Sequence, residues 1–368
     1  MAITYHAGRR IQGTSTDFGT DGAGIPAVVT QGGWKELGRH TLSSAGDYLE
    51  VSGIADKKYY MIVWNTPDGT ASWCQPSLRL GIGSVDTGTN YGERYWRDGV
   101  FGSAHMNTYN GLWSNLSSPN KSCFGVSYIS NESDREKLIM NSSVDQTNPP
   151  SRLQSAGKWT DVSAPIDLVR LEHQATGNGF NTGSELVVLG WDPTDTHTTN
   201  FWEELVSVSA SGSSTTLDTG TFTAKKFLWV QIYLEAVSNL TTQLFTYNSD
   251  STNNYSQRSS RNGSEVTNVN IGHGNVNVTG GTNQKGLFYS GFIVNDSSNE
   301  KLAMYHGIGQ DTVGAGTVPV RLENVHKWTR TSGSGTGDAS SQITRLKIYQ
   351  DNGVNFGTGS IIKVWGSN

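Results

Sequence analysis

The sequence predicts an all-β protein: two tandem homologous β-sandwich domains, jelly-roll-like, behind an extended N-terminal arm. Three observations lead there. The first is composition. The 368 residues include 44 Gly and 11 Trp, aromatics make up 10 %, and charged residues only 16 %, against a usual level of about 25 %. Polar, uncharged, Gly-rich and aromatic-rich text describes short strands joined by many turns. The second is an internal repeat, and the third is a set of strand-length apolar runs that recur within it.

The repeat is legible in six blocks. Trp34-Lys35-Glu36-Leu37 matches Trp202-Glu203-Glu204-Leu205, and Lys57-Lys58-Tyr59 matches Lys225-Lys226-Phe227, both at an offset of 168. Asn90-Tyr91, Arg94 and Arg97-Asp98-Gly99 match Asn254-Tyr255, Arg258 and Arg261-Asn262-Gly263 at 164; Asn131 with Glu136-Lys137-Leu138 and Met140 matches Asn295 with Glu300-Lys301-Leu302 and Met304 at the same offset. Arg152-Leu153 and Lys158-Trp159-Thr160 match Arg321-Leu322 and Lys327-Trp328-Thr329 at 169. Phe180, Thr182-Gly183-Ser184 and the run to Gly190 match Phe356, Thr358-Gly359-Ser360 and the run to Gly366 at 176. Six blocks in one order define a duplication, and the drifting offset puts insertions in surface loops, which tolerate them. The chain divides into an arm (1–33), a first unit (34–192), a polar linker (193–201) and a second unit (202–368).

Within each unit the strands follow from local pattern. Runs 59–64 and 227–232 are aromatic and β-branched. Runs 124–129 and 287–294 are similar, 166–171 and 343–348 alternate with period 2, and 184–189 and 360–365 close the units. Asp98-Gly99 and Asn262-Gly263 predict hairpin turns, because these residue types accept positive φ. Helical periodicity is absent, with one turn expected near Ser133–Glu136. Seven to nine strands per unit are expected, which suits a jelly roll or another Greek-key sandwich.

Several function classes are disfavoured. The net charge is −5 and no basic cluster exceeds Arg9-Arg10 or Lys57-Lys58, so no nucleic-acid groove is expected. No apolar stretch approaches membrane-spanning length, so no membrane insertion is expected. Residues 1–10 carry no apolar signal region, which predicts synthesis in a cytoplasm, with exit by assembly into a particle or by lysis. The only cysteines, Cys74 and Cys123, lack metal spacing; a disulfide and two separate buried thiols are both open. No G-x-S-x-G, H-E-x-x-H or P-loop pattern occurs, and the histidines, among them His6, His40, His105, His173, His197, His273 and His306, share no spacing. No enzyme, cofactor or metal is expected. Asp192, Asp195 and His197 cluster in the linker, where solvation is a better account than a cation.

The repeat also sorts residues. Arg94, Arg97, Glu136 and Lys137 recur as Arg258, Arg261, Glu300 and Lys301, and are expected to hold loops through Arg–Glu pairs. Lys158-Trp159-Thr160 and its copy read as fold signatures. Trp73, Trp96 and Trp113 have no tryptophan counterpart in unit two; Tyr95, Trp96 and Trp113 are therefore the ligand-binding candidates, suited to a sugar face or an apolar pocket. In the arm, Tyr5, Arg9, Arg10, Ile11 and Phe18 are candidates for anchoring on a neighbouring subunit.

The opening Ile3-Thr4-Tyr5-His6, Gly8-Arg9-Arg10-Ile11-Gln12-Gly13 and the endings Phe180…Ser184 and Phe356…Ser360 resemble uncharacterised virion structural proteins of marine viruses and phages. The terminal Gly359-Ser360-Ile361-Ile362-Lys363-Val364-Trp365-Gly366 is similar to a strand that closes β-domains of tail fibres and minor structural proteins; Leu189 and Trp365 stand where those endings carry Tyr. The resemblance implies a non-enzymatic virion component, a capsid decoration or tail-fibre protein, stabilising the particle or adsorbing to a host surface. Its implied partners are other virion proteins, further copies of itself and a host-surface glycan. Two alternatives remain at this point: a shell-forming double jelly-roll capsid protein, and a carbohydrate-binding module or polysaccharide hydrolase.

Overall fold

In a computed structural model, the chain is described at residues 33–67, 76–108, 112–113, 121–173, 179–193, 195, 200–235, 243–276, 286–310, 318–329, 341–351 and 353–368, with backbone only at 102–108, 112–113, 276 and 310. Every element there is a strand or a turn, and every strand pairing is antiparallel. Unit one holds β1 (Lys35–Thr41), β2 (Tyr48–Ser52), β3 (Tyr59–Thr66), β4 (Pro76–Ile82), β5 (Ser84–Val85), β6 (Tyr91–Arg97), β7 (Val100–Thr108), β8 (Leu112–Trp113), β9 (Cys123–Ser130), β10 (Lys137–Asp145), β11 (Arg152–Trp159), β12 (Leu168–His173) and β13 (Glu185–Trp191). Unit two holds β14 (Glu203–Ser209), β15 (Thr216–Asp218), β16 (Phe227–Glu235), β17 (Gln243–Tyr247), β18 (Tyr255–Arg261), β19 (Ser264–Ile271), β20 (Gly274–Val276), β21 (Gly286–Val294), β22 (Lys301–Gln310), β23 (Val320–Trp328), β24 (Leu346–Gln350) and β25 (Ile361–Ser367).

Each unit is a two-sheet sandwich. An eight-stranded sheet runs β1-β13-β3-β9-β10-β11-β6-β7 in unit one and β14-β25-β16-β21-β22-β23-β18-β19 in unit two. The facing sheets are β2-β12-β4-β5, with β8 on β4, and β15-β24-β17-β20. The strands outnumber the seven to nine expected, because short edge pieces such as β5, β8, β15 and β20 carry too little pattern to be read from sequence. The duplication extends to irregularities: β1 and β14 each carry a bulge at equivalent places, at Glu36/Gly38 and Glu204/Val206. Both anticipated hairpins form as two-residue loops, with Asp98 and Asn262 each at φ 50° ahead of a positive-φ glycine.

The repeated residues hold equivalent joints. Trp159 and Trp328 are buried, and their indole N–H groups donate to Asp86 and Asp250 at 2.6 and 2.9 Å. Asn131 and Asn295 bridge the sheets: each accepts from a backbone N–H, of Ile166 or Ile343, and donates to a backbone carbonyl, of Lys57 or Lys225. These contacts satisfy the polar groups at Ile166 and Ile343, which is why β12 and β24 begin later than the alternating pattern suggests. The Lys137 ammonium, fully buried, donates to the carbonyls of Glu132 and Arg135, closing the turn at 133–135.

One expectation is corrected. Glu136 and Glu300 pair not with the repeated arginines but with the repeated lysines, Lys158 at 2.8 Å and Lys327 at 3.6 Å. Cross-strand register explains this: Leu138 faces Lys158 and Leu302 faces Lys327, so the glutamate just ahead of each strand lies two residues away on the same face, diagonal to its lysine.

Three hydrophobic clusters form among the described residues. One fills each sandwich, around Trp64 and Trp159 in unit one and Tyr289 and Trp328 in unit two. The third joins the outer faces of the two large sheets: Met61, Val63, Phe124, Val126, Val144, Val187 and Leu189 meet Phe227, Val294, Leu302, Met304, Val325 and Trp365. Those outer faces explain why β3 and β13 are buried almost end to end rather than alternating.

Candidate interaction surfaces

The seam between the units is ionic around an apolar centre. Arg152, 3 % exposed, reaches Glu323 at 2.5 Å and also pairs with Glu265. Arg258 meets Asp98 at 3.1 Å and donates to the carbonyl of Pro150. Lys226 meets Glu185 at 2.5 Å, and Gln154 contacts His306 at 2.6 Å. The rings of Phe124 and Phe227 stack 6.4 Å apart. Burial pushes the Glu323 carboxyl up, but Arg152 and then Arg321 draw it down further, so it lies below its ordinary value. Gly99 is required here: its φ of 80° is left-handed, and a Cβ would fall 2.4 Å from the Glu265 carboxylate. The linker is pinned as well. Phe201 and Trp202 are buried in the seam, and Phe201 N–H donates to the carbonyl of Trp34 at 2.8 Å.

The seam uses different parts of the two repeats. On unit two it covers Leu302, 0 % exposed, and Met304, 3 %. The equivalents on unit one, Leu138 and Met140, are 59 % and 64 % exposed. Around them, on the same face by register, stand Ala156, Arg94, Trp96 and Phe101. Trp96 packs edge-on against Phe101 at 5.8 Å, and Arg94 lies over the Phe101 ring at 5.8 Å. Val100, at the hairpin tip, is also exposed. This is a sheet face of apolar and aromatic groups with one guanidinium, edged beside Leu138 by the exposed Lys158–Glu136 pair.

Of the sequence candidates, Trp96 lies on this face. Tyr95 does not: it points the other way and packs against the sandwich core of unit one, because adjacent strand residues alternate faces. Trp113 pairs through its backbone with Ser77, and its side chain lies outside the described residues. Tyr5, Arg9, Arg10, Ile11 and Phe18 also fall outside them, as do Trp73, Cys74 and His197. Asp195 is ion-paired with Lys57, and its carboxylate accepts from the Asp192 N–H at 2.8 Å, so this linker acid holds a lysine instead of standing in solvent. Among the described residues no group of three or more His, Cys, Asp or Glu is arranged to hold a metal ion, and no helix is long and apolar enough to cross a membrane. Cys123 is disulfide-bonded, which decides between the two alternatives left by the sequence; Cys74 is the only other cysteine in the chain.

Sequence reasoning missed the seam. Its signal was present in runs 59–64 and 184–189, which are apolar on both strand faces, as a sheet covered on both sides requires. The repeated Arg152-Leu153 and Arg321-Leu322 were visible too, but the shared dipeptide does not tell that one arginine is buried across the seam while the other is exposed and pairs within its own unit with Glu323.

No protein-family profile matches the chain, and no curated protein matches its sequence. Among solved structures, domains LG4-5 of mouse laminin alpha1 align at 9 % identity over 90 % of this chain and 89 % of that one, with a TM-score of 0.19. The C2A and C2B domains of extended-synaptotagmin 2 align at 7 % identity over 74 % of this chain and 92 % of that one, with a TM-score of 0.08. At these scores neither likeness carries weight for fold or function.

Proposed function

We propose that the protein is a non-enzymatic structural component of a virion surface, working through sheet faces that bind other particle proteins. The observation that carries this is the open face of unit one, where Leu138, Met140, Trp96 and Phe101 stand exposed together on one sheet. Contiguous exposed apolar surface on a folded domain marks an interaction site. The disulfide at Cys123 favours a protein that functions outside a reducing cytoplasm, as a released particle does. The resemblance of the arm and of the strand-closing motifs to virion proteins supplies the setting. In this reading the arm, through Tyr5, Arg9, Arg10, Ile11 and Phe18, anchors the chain, and the sandwiches stabilise the particle or contact the host. Mass spectrometry of purified particles from the source culture tests it. The polypeptide is expected at stoichiometric abundance, and its absence sinks the proposal.

A further inference from the structure

The seam between the units is heterologous: unit one contributes one patch and unit two a different one. Unit one buries Asn65, Phe124, Val144 and Arg152, which form one cross-strand row. The equivalent row on unit two is Tyr233, Phe288, Ile308 and Arg321, in the same register. It is open. Phe124 is 1 % exposed and Phe288 42 %; Val144 is 0 % and Ile308 50 %. The Arg152 side chain is 4 % exposed and that of Arg321 66 %. Gly99 touches Glu265 across the seam, whereas its copy Gly263 has open space. Among the described residues two surfaces are therefore left open, and they are the two kinds that meet in the seam: the Phe288 row on unit two and the Leu138/Met140 face on unit one.

We propose that copies of this chain associate head to tail, the Phe288 row of one copy seated on the Leu138/Met140 face of the next. The contact chemistry carries over from the internal seam. Phe124 stacks on Phe227 inside the chain, and the counterpart pair between copies is Phe288 on Tyr59, itself exposed. Ile308 takes the place of Val144 opposite Leu138 and Met140. Arg321, which keeps its own-unit pair with Glu323, takes the place of Arg152 and meets Trp96 and Gln154 beside Phe101, whose ring already carries Arg94, so a cation beside an indole stands in for the ion pairs that Arg152 makes with Glu265 and Glu323. A heterologous contact does not close on itself in a dimer; it grows into a ring or a filament. The second copy is the occupant because the two open faces are the repeat counterparts of the surfaces that meet in the seam, keeping its apolar row and its arginine and carrying neutral groups where the seam has carboxylates.

The test is sedimentation of the full chain over a concentration series reaching the millimolar range, with Phe288→Glu and Met140→Glu. Both positions are exposed, so the fold is retained, which circular dichroism checks. Wild type is expected to form species larger than a dimer as concentration rises. Each variant alone is expected to lose every species above monomer. Mixed one to one they are expected to give a dimer and nothing larger, because each retains one intact face. Three results overturn the inference: a wild type that stays monomeric throughout, association that survives both substitutions, or variants whose mixture gives no dimer. A fourth is a monomeric wild type that associates once Tyr5, Ile11 and Phe18 are changed to Asp, which makes the arm the occupant. None of these outcomes touches the presence of the protein in particles, so the two proposals fail separately.

Discussion

Leu138 and Leu302 sit on the same strand of the same fold, each paired across to a lysine of a Lys-Trp-Thr block, yet one is open and the other fully buried. The two units teach that a repeat fixes local structure and leaves environment to whatever covers each face. Many residues retained in both units do internal work: the Trp–Asp joints, the bridging Asn131 and Asn295, the buried Lys137 and Lys301. Divergence concentrates at the seam. Asp98, Glu185, Glu265 and Glu323 carry its charge, and their equivalents Asn262, Ile361, Phe101 and Gln154 are neutral. The carboxylates thus mark which surface belongs inside the chain, and a surface lacking them takes a different partner.

The sharpest way to break this comparison is one substitution made twice. Leu302→Ala removes a buried side chain from the seam and is expected to cost about 2–5 kcal/mol. Leu138→Ala, in dilute protein, is expected to change stability by no more than about 0.5 kcal/mol, as exposed sites do. Denaturant titration of both variants reads the difference. Equal costs would mean that the two faces are not in different environments.

The sequence disclosed the fold because its signals are local. Positive-φ Asp98 and Asn262, the strand runs and the six repeat blocks all act within a few residues of themselves. The buried tryptophans were legible as fold signatures, although their aspartate partners lie over seventy residues away, the Asp86–Trp159 pair being separated by 73. The surfaces were less legible. Trp96 was found by lacking a copy, a contrast that the repeat itself provides. Tyr95 was mistaken because adjacency in sequence means opposite faces in a strand. Arg152 and Arg321 share the same Arg-Leu dipeptide and register, yet Arg321 pairs within its own strand with Glu323 while Arg152, with Gln154 in that place, is buried under the other unit. That difference is tertiary and has no periodicity to announce it.

A second, smaller contrast lies inside the sandwiches. His326 is fully buried between Phe245 and Tyr305, and its unit-one equivalent is Gly157. Burial holds the imidazole neutral and pushes its pKa down to about 3. The folded value lies below the unfolded one, so the unfolded chain binds the proton first. Stability is therefore full above about pH 6.5 and falls as pH drops from there toward the folded value. Between pH 7 and pH 5 the expected loss is about 2 kcal/mol, at about 1.4 kcal/mol per unit. His326→Gln is expected to remove that share of the slope whatever it does to stability at pH 7, leaving the parts due to His306 and His273, which burial also pushes down. Hydrogen exchange, corrected for its intrinsic pH dependence, should place the loss in β18, β22 and β23 and leave β6, β10 and β11 unchanged. An equal loss in both units would assign the acid sensitivity elsewhere.

The mildest contrast concerns the repeated lysines, where the chemistry is the same and only the surroundings differ. Lys158 and Glu136 are 47 % and 42 % exposed, so their 2.8 Å pair is screened by water and salt. Lys158→Ala is expected to cost about 0–1 kcal/mol, less in high salt. Lys327 and Glu300 are 13 % and 12 % exposed, and Lys327 also donates to the Gln146 carbonyl of unit one at 3.2 Å. Removing it leaves a carboxylate and a carbonyl short of a donor at the seam, for an expected cost of about 1–2 kcal/mol. Salt should weaken the effect of the first substitution and barely alter the second. The longer ion pair would then be the more valuable one, because exposure, not distance, sets how much of the attraction survives.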